Sequence, residues 1–285
     1  MTWFRLAAWC LWVFYMVDAQ WRQLGMCEDY FDDQYVGCLN QMQALAPDLL
    51  RKERQNDKEL DIAWKNASET WLIKKSSMKT LPEGFKDEHG IALLVHVNSE
   101  TKLKHAVVQY EMDPQSFMYH SFHFYLTRAM TLLRAGCDGK PLTTYIGTNI
   151  ISYPPLGSLH HVRLQDFLST TVDFSLAQTF GNVSFFNITT CFGVEVHNFS
   201  FRPFEKEVMI PVNEVFHVSE NIKEGNIFIL QSTEKRCSYY NCAYLGGNKS
   251  RYCKIRPDPN TAKSSEAATV PLLVGLGIGV SFVTR

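Results

Sequence analysis

The spacing of apolar positions divides the chain into a helical first half and a strand-rich second half. From Pro47 to about Lys75 the chain is charged, and Leu60, Trp64, Ala67 and Trp71 recur at i, i+4, i+7 and i+11. That spacing predicts an amphipathic helix with Asn66 off its apolar face. Leu81-Pro82-Glu83-Gly84 breaks it. The run Ile91–Val95 is short and apolar, and periodicity leaves it open as helix or strand. Met118, Phe122, Tyr125, Ala129 and Leu132 form a second stripe, predicting a helix over 115–134 that stops at Ala135-Gly136. His120 and His123 fall on this helix and are read as structural rather than ligating.

After Cys137-Asp138-Gly139-Lys140-Pro141, short runs of β-branched and aromatic residues follow one another at intervals of about ten, separated by turn residues. The predicted strands are Leu142–Ile146, His161–Leu168, Val183–Cys191, Val194–Phe199, Lys206–Ile210, Glu214–Val218 and Ile227–Gln231. Pro154-Pro155-Leu156-Gly157 marks a loop. No internal repeat or Gly-rich phosphate loop is present. The fold class is α+β, a helical N-terminal lobe packed on a two-sheet β core.

One strand carries candidate chemistry. In Phe204-Glu205-Lys206-Glu207-Val208-Met209-Ile210-Pro211, strand alternation puts Glu205, Glu207 and Met209 on one face. Two carboxylates about 7 Å apart along a strand can act on one substrate from one side. A sugar–nitrogen bond that breaks through an oxocarbenium-like state needs a fixed negative charge beside the anomeric carbon. The second carboxylate can orient or deprotonate a nucleophile. The pair is not specific by itself, because Asp57/Glu59, Glu59/Asp61 and Glu111/Asp113 share its spacing and charged residues are mostly solvated.

Export changes the reading of the cysteines. Residues 1–19 hold Arg5, an apolar run from Leu6 to Val17, and small residues at Val17 and Ala19, the pattern of a signal peptide cleaved before Gln20. A signal anchor is the alternative, although the run is short for a membrane span. Of eight cysteines, the signal removes Cys10, and seven remain for an oxidising compartment. They form no Cys-x-x-Cys pair, so no metal is expected. Sequons at Asn66, Asn182, Asn187, Asn198 and Asn248 agree with export. Hydrophobic content of 46% and a formal net charge of −1 describe a globular protein without a basic field for nucleic acid. Residues 257–285 combine a polar linker with a short apolar stretch, Val270–Val283. That fits a GPI signal attached at Ser264-Ser265 or near Asn260, with a retained membrane anchor as the alternative.

Three segments of the β half occur in a telling order. They are Thr144-Tyr145-Ile146-Gly147-Thr148, then Gln165-Asp166-Phe167-Leu168-Ser169-Thr170-Thr171 running on to Ala177-Gln178-Thr179-Phe180-Gly181, and Glu205-Lys206-Glu207 running on to Phe216. Together they resemble the arginine, serine and Glu-x-Glu motifs of the vertebrate ecto-mono-ADP-ribosyltransferases. Phe31–Cys38, Phe85–Leu94, Phe122–Thr127 and Tyr239–Cys242 resemble further blocks of that family, so the resemblance runs through residues 20–256. It divides them into a helical lobe, 20–136, and a β-rich NAD-binding core, 137–256.

The resemblance implies transfer of ADP-ribose from NAD+ to arginines of surface or secreted proteins by a lipid-anchored extracellular enzyme. It assigns Glu207 as the catalytic glutamate, Glu205 as the residue facing the acceptor guanidinium, and Ser169 as the hydroxyl fixing the ribose and Glu207. Gln165, Ser200 and Tyr145 fall among its NAD contacts. It also implies disulfides Cys38–Cys242 and Cys137–Cys191; Cys237–Cys253 is added as a third, leaving Cys27 over. The departure is Ile146, where the family carries an arginine that holds the dinucleotide. Losing such a charged hydrogen bond weakens binding by about 1.5–3 kcal/mol, roughly ten- to a hundred-fold. Two readings follow: an NAD-dependent transferase, or a non-catalytic surface glycoprotein that keeps the fold.

Overall fold

The computed structural model describes residues 21–78, 80–99, 102–110, 117–137, 139–153, 161–220 and 226–256. The expected signal peptide and C-terminal anchor signal lie outside them. No helix among the described residues is long and apolar enough to cross a membrane.

Among the described residues, five helices build the first half: α1 Leu39–Asn56, α2 Lys58–Ser77, α3 Asp87–Asn98, α4 Leu103–Gln109 and α5 His120–Leu133. The single helix expected from Pro47 is two. Pro47 lies inside α1, and the chain breaks at Asp57, whose extended backbone frees its carboxylate to accept the Glu59 and Leu60 amides at 2.9 and 3.2 Å. The stripe of α2 is buried as expected. The ambiguous run Ile91–Val95 is helical within α3, buried on nearly every side. Gly90 of α3 lies so close to Trp71 of α2 that a Cβ there would collide with the indole. Helix α5 begins later than the stripe implied, which leaves Met118 exposed. Its first turn is held by Glu53 of α1, whose carboxylate accepts the Ser121 amide at 2.7 Å, the Ser121 hydroxyl at 2.6 Å and the Phe122 amide at 3.2 Å. His123 is buried against the Tyr35 hydroxyl, 2.8 Å from Nδ1, in a structural role.

The second half supplies β1 Trp21–Gln23, β2 Leu142–Thr148, β3 Ile151–Tyr153, β4 His161–Val162, β5 Leu168–Thr171, β6 Ser184–Thr190, β7 Val194–Glu195, β8 Glu207–Ile210, β9 Glu214–Glu220, β10 Ile227–Ser238 and β11 Lys254–Arg256, with helix α6 Phe174–Phe180 after β5. The expected strand His161–Leu168 is in fact β4 plus the first residue of β5. Val194–Phe199 keeps only β7 before a 3-10 turn, His197–Phe199. The main sheet runs β4-β9-β10-β6-β2-β5-β8-β7, with β11 on β10 and a separate β1–β3 pair. Strands β2 and β5 meet through one residue pair, Tyr145 with Thr171. The sheet therefore works as two halves hinged at that pair. One apolar cluster fills the helical lobe and reaches Phe167, Val194, Phe199 and Met209; a second, centred on Ile188, Phe216 and Leu230, lies within the larger half-sheet.

The two ends of the domain are clamped together. Disulfides join Cys38 to Cys242, Cys137 to Cys191 and Cys237 to Cys253. Beside the first of them, Asp33 accepts the amides of Tyr35, Cys242 and Ala243 at 2.8, 2.9 and 2.7 Å. Asp32 accepts the Tyr239 and Tyr240 amides and faces Arg163 at 2.6 Å, both side chains 1% exposed. Arg163 also donates to the carbonyls of Met26, Cys27 and Cys237.

Candidate active site

Glu207 and Glu205 do not share a strand face. Strand β8 starts at Glu207, and Glu205 ends a 3-10 turn, Pro203–Glu205. Lys206 between them is left-handed, with φ 47° and ψ 46°, a conformation costly for a side chain with a Cβ. The turn is held from β5: the Thr171 hydroxyl donates to the Glu205 carbonyl at 2.6 Å, and the Val172 amide to the Lys206 carbonyl at 3.4 Å. Lys206 Nζ lies 3.6 Å from Asp173, which caps α6 through the Ser175 and Leu176 amides. Two carboxylates thus converge from a turn and a strand, rather than from one strand face.

Strand pairing brings most of the expected residues together. Thr171 of β5 lies opposite Glu207 of β8 and opposite Tyr145 of β2. Ser169, exposed and two residues before Thr171, shares its face, and its hydroxyl hydrogen-bonds Glu207. Glu207 itself is buried. Burial pushes its carboxyl above the usual range, the Ser169 bond pulls back, Glu205 adds to the rise, and Arg202 opposes it. Glu205 pairs with Arg202, Nη1 to Oε1 3.2 Å, on the solvent side. Tyr145 packs edge-on against Phe174 of α6, ring centroids 5.4 Å apart.

The other expected contacts lie elsewhere. Ser200 is buried, and its hydroxyl accepts the Arg202 amide at 2.9 Å, so it shapes the turn instead of facing a ligand. Gln165 lines a cavity with Ile146, on the side of the sheet opposite Tyr145. Thr171 and Arg202 were missed as site residues. Thr171 was legible as a hydroxyl one alternation beyond Ser169, and Arg202 as a cation three residues before Glu205.

The arrangement fits one half of a dinucleotide better than the other. A desolvated carboxylate beside a hydroxyl suits a ribose that develops positive charge. Ile146, where the resemblance would put a cation for the pyrophosphate, instead lines an apolar cavity wall, and among the described residues lining it the cation present, Arg163, is committed to Asp32 and three carbonyls.

A family model described as NAD:arginine ADP-ribosyltransferase matches residues 24–238. Ecto-ADP-ribosyltransferase 5 of Homo sapiens is 39% identical over 247 residues, covering 82% of this chain and 84% of that protein. T-cell ecto-ADP-ribosyltransferase 2 of Rattus norvegicus is 36% identical over 236 residues, 81% of this chain and 83% of that one. A mutant of the eukaryotic mono-ADP-ribosyltransferase ART2.2, solved in complex with NAD, matches with a TM-score of 0.71 and 34% identity, over 78% of this chain and 99% of that chain. The class is therefore that of the mono-ADP-ribosyltransferase fold. The chain belongs to the NAD:arginine ADP-ribosyltransferase family.

Proposed function

We propose that this protein moves ADP-ribose from NAD+ to arginine side chains of extracellular or surface proteins, with release of nicotinamide. The observation that carries this reading is the buried Glu207, held by the Ser169 hydroxyl beside a second carboxylate. Burial makes the ionised form of Glu207 costly, so a positive charge developing next to it is stabilised more than it would be in water. That charge is largest in an oxocarbenium-like transition state, which makes the interaction differential rather than uniform. Glu205, on the solvent side, faces the acceptor. A guanidinium stays protonated in water, and the carboxylate both orients it and accepts its proton. Gln165 and Ser200 are assigned to NAD through a rearrangement of the site around them, and Tyr145, beside Thr171, is assigned to the ribose.

We extend the proposal to the termini and surface: a signal peptide over 1–19, a helical lobe over 20–136, a catalytic core over 137–256 and a GPI-type signal over 257–285. Release from cells by phosphatidylinositol-specific phospholipase C tests the anchor. Asn66, Asn182, Asn198 and Asn248 are exposed, which suits glycosylation there.

A specific observation favours the second reading, a non-catalytic surface glycoprotein: the apolar setting of Ile146. Incubating the purified protein with NAD labelled in its adenylate and with the arginine analogue agmatine separates the two. Labelled agmatine supports the transferase, and Glu205→Gln then loses transfer while retaining NAD hydrolysis. Absence of both products from the wild-type protein establishes the non-catalytic reading.

A further inference from the structure

A half-open groove of about 450 Å³ runs between helix α6 and strands β6 and β10. Phe174, the first residue of α6, and Phe185 of β6 form its apolar wall with Ile227 and Ile229 of β10. The two rings meet edge to face, centroids 5.1 Å apart, and Phe174 is left half-exposed. The rim is made of side-chain amides, Gln178, Asn182, Asn187 and Asn226, and no charged side chain is among the described residues lining the groove. Aromatic faces bordered by amides suit a sugar, whose C–H face lies on a ring while its hydroxyl and N-acetyl groups hydrogen-bond to amides.

The groove carries its own point of attachment. Asn182-Val183-Ser184 and Asn187-Ile188-Thr189 are both sequons, and both asparagines line it. Their backbones set them apart. Gly181 is extended, with φ 171° and ψ 159°, and a Cβ on it would collide with the backbone of Thr148 and Asn149 at the end of β2. Successive side chains of an extended chain point opposite ways, so Asn182 turns outward, and it is exposed. Its amide is held at 3.3 Å by the Asn149 side chain. Asn187 lies within β6 between Tyr145 of β2 and Ile229 of β10, half-buried, where it is placed to meet a sugar rather than to carry one. Asn226 gives its Nδ2 to the Val183 carbonyl and keeps an oxygen for a hydroxyl.

We propose that the first N-acetylglucosamine of an N-glycan on Asn182 folds back into this groove, its ring against Phe174 and Phe185 and its polar groups on Gln178, Asn187 and Asn226. The bond forms between Nδ2 of Asn182 and C1 of the sugar. A lipid-linked pyrophosphate leaves C1 with the bonding pair, and Nδ2 gives up one proton; the donor is a lipid-pyrophosphate oligosaccharide of the secretory compartment. The proposal rests on the reading of the chain as exported and glycosylated.

The test uses the full chain made in mammalian cells restricted to high-mannose glycans. Glycopeptide mass spectrometry should find Asn182 occupied and Asn187 bare. Endoglycosidase H then trims every glycan to a single N-acetylglucosamine, and thermal unfolding is followed by circular dichroism. Trimmed wild-type protein should melt with the untrimmed protein, and Asn182→Gln, trimmed likewise, about 2–4 °C lower. Removing a sugar elsewhere, as in Asn66→Gln, should leave the midpoint unchanged. Phe174→Ala should erase the difference that Asn182→Gln makes; where that variant fails to fold, the comparison of Asn182→Gln with Asn66→Gln decides. Absence of sugar from every sequon removes the glycosylation reading and this proposal with it. Sugar at Asn187, no loss on Asn182→Gln, or an equal loss on Asn66→Gln overturns the placement alone.

Discussion

Two pairs of acids, Asp32 with Asp33 and Glu205 with Glu207, occupy the two ends of this molecule's polar chemistry. Every partner the first pair needs is built in: a guanidinium and two amides for Asp32, three amides for Asp33. The second pair is left short. Glu207 has one hydroxyl and a neighbouring acid, and Glu205 has an exposed arginine. Both pairs sit near the sequence blocks that resemble the family, so resemblance alone does not separate structure from chemistry. What separates them is how fully each carboxylate is satisfied. Saturated acids hold the fold, and the buried acid with too few partners is the one positioned to gain from a cationic transition state.

The contrast can be broken at its structural end with the largest effect. Asp32→Ala leaves Arg163 buried and unpaired, and breaking such a pair costs about 3–5 kcal/mol. Urea denaturation should show a loss of that size, enough to unfold a marginal domain. At the other end, Glu207→Gln should leave the urea midpoint unchanged or slightly higher, because it removes a carboxylate that burial penalises. The same change should cut transfer by about 10²–10³, the scale of losing one transition-state electrostatic contact, as measured with labelled NAD and agmatine. Equal damage from both substitutions in both assays would erase the distinction between the pairs.

Ile146→Arg sharpens the comparison by supplying the missing cation. Its contact would be present in ground and transition states alike, so KM for NAD should fall roughly ten- to a hundred-fold with little change in kcat. No change in KM would show that the arginine remains on the cavity side. A pH-dependent effect concerns Glu53, a third buried acid that lies between the two extremes. Burial raises its carboxyl to about 7 despite bonds from Ser121 and Phe122. The folded state then binds more protons than the unfolded state between the two pKa values, so stability falls as pH rises. The contribution is complete below the unfolded value near 4.5 and lost as pH passes about 7. Urea midpoints from pH 4 to 8 should show this decline, and Glu53→Gln should flatten it.

Much of this was legible in the sequence, for definite reasons. The helical stripe from Leu60 to Trp71 was readable because burial on one face repeats with the helix. The α+β class followed from the change of period after Cys137. Two of the three disulfides, Cys38–Cys242 and Cys137–Cys191, came with the family resemblance, since spacing alone cannot pair seven cysteines. What failed was local backbone. Asp57 caps a helix in the middle of a charged run, where one acid looks like another until its backbone is extended. Lys206 is left-handed without a glycine to announce it, so alternation carried Glu205 into a strand that begins two residues later. The side of the sheet on which Ile146 lies depends on the pairing of β2 with β6, where it sits opposite Phe186, a long-range fact with no local signature.

The Cys38–Cys242 clamp has a consequence for how the protein is made. Its partners lie 204 residues apart, and at about 5–20 residues per second their synthesis is separated by roughly 10–40 s. Throughout that interval Asp32 and Asp33 have been synthesised without the amides of Tyr239, Tyr240, Cys242 and Ala243 that will later satisfy them. Cys38 is a reduced thiol exposed to wrong partners, with Cys137 and Cys191 arriving before the correct one. Closure of the domain is therefore a late event that requires nearly the whole chain. Disulfide trapping during translation should find Cys38–Cys242 formed after Cys137–Cys191, with mispaired Cys38 accumulating when disulfide isomerase is withheld.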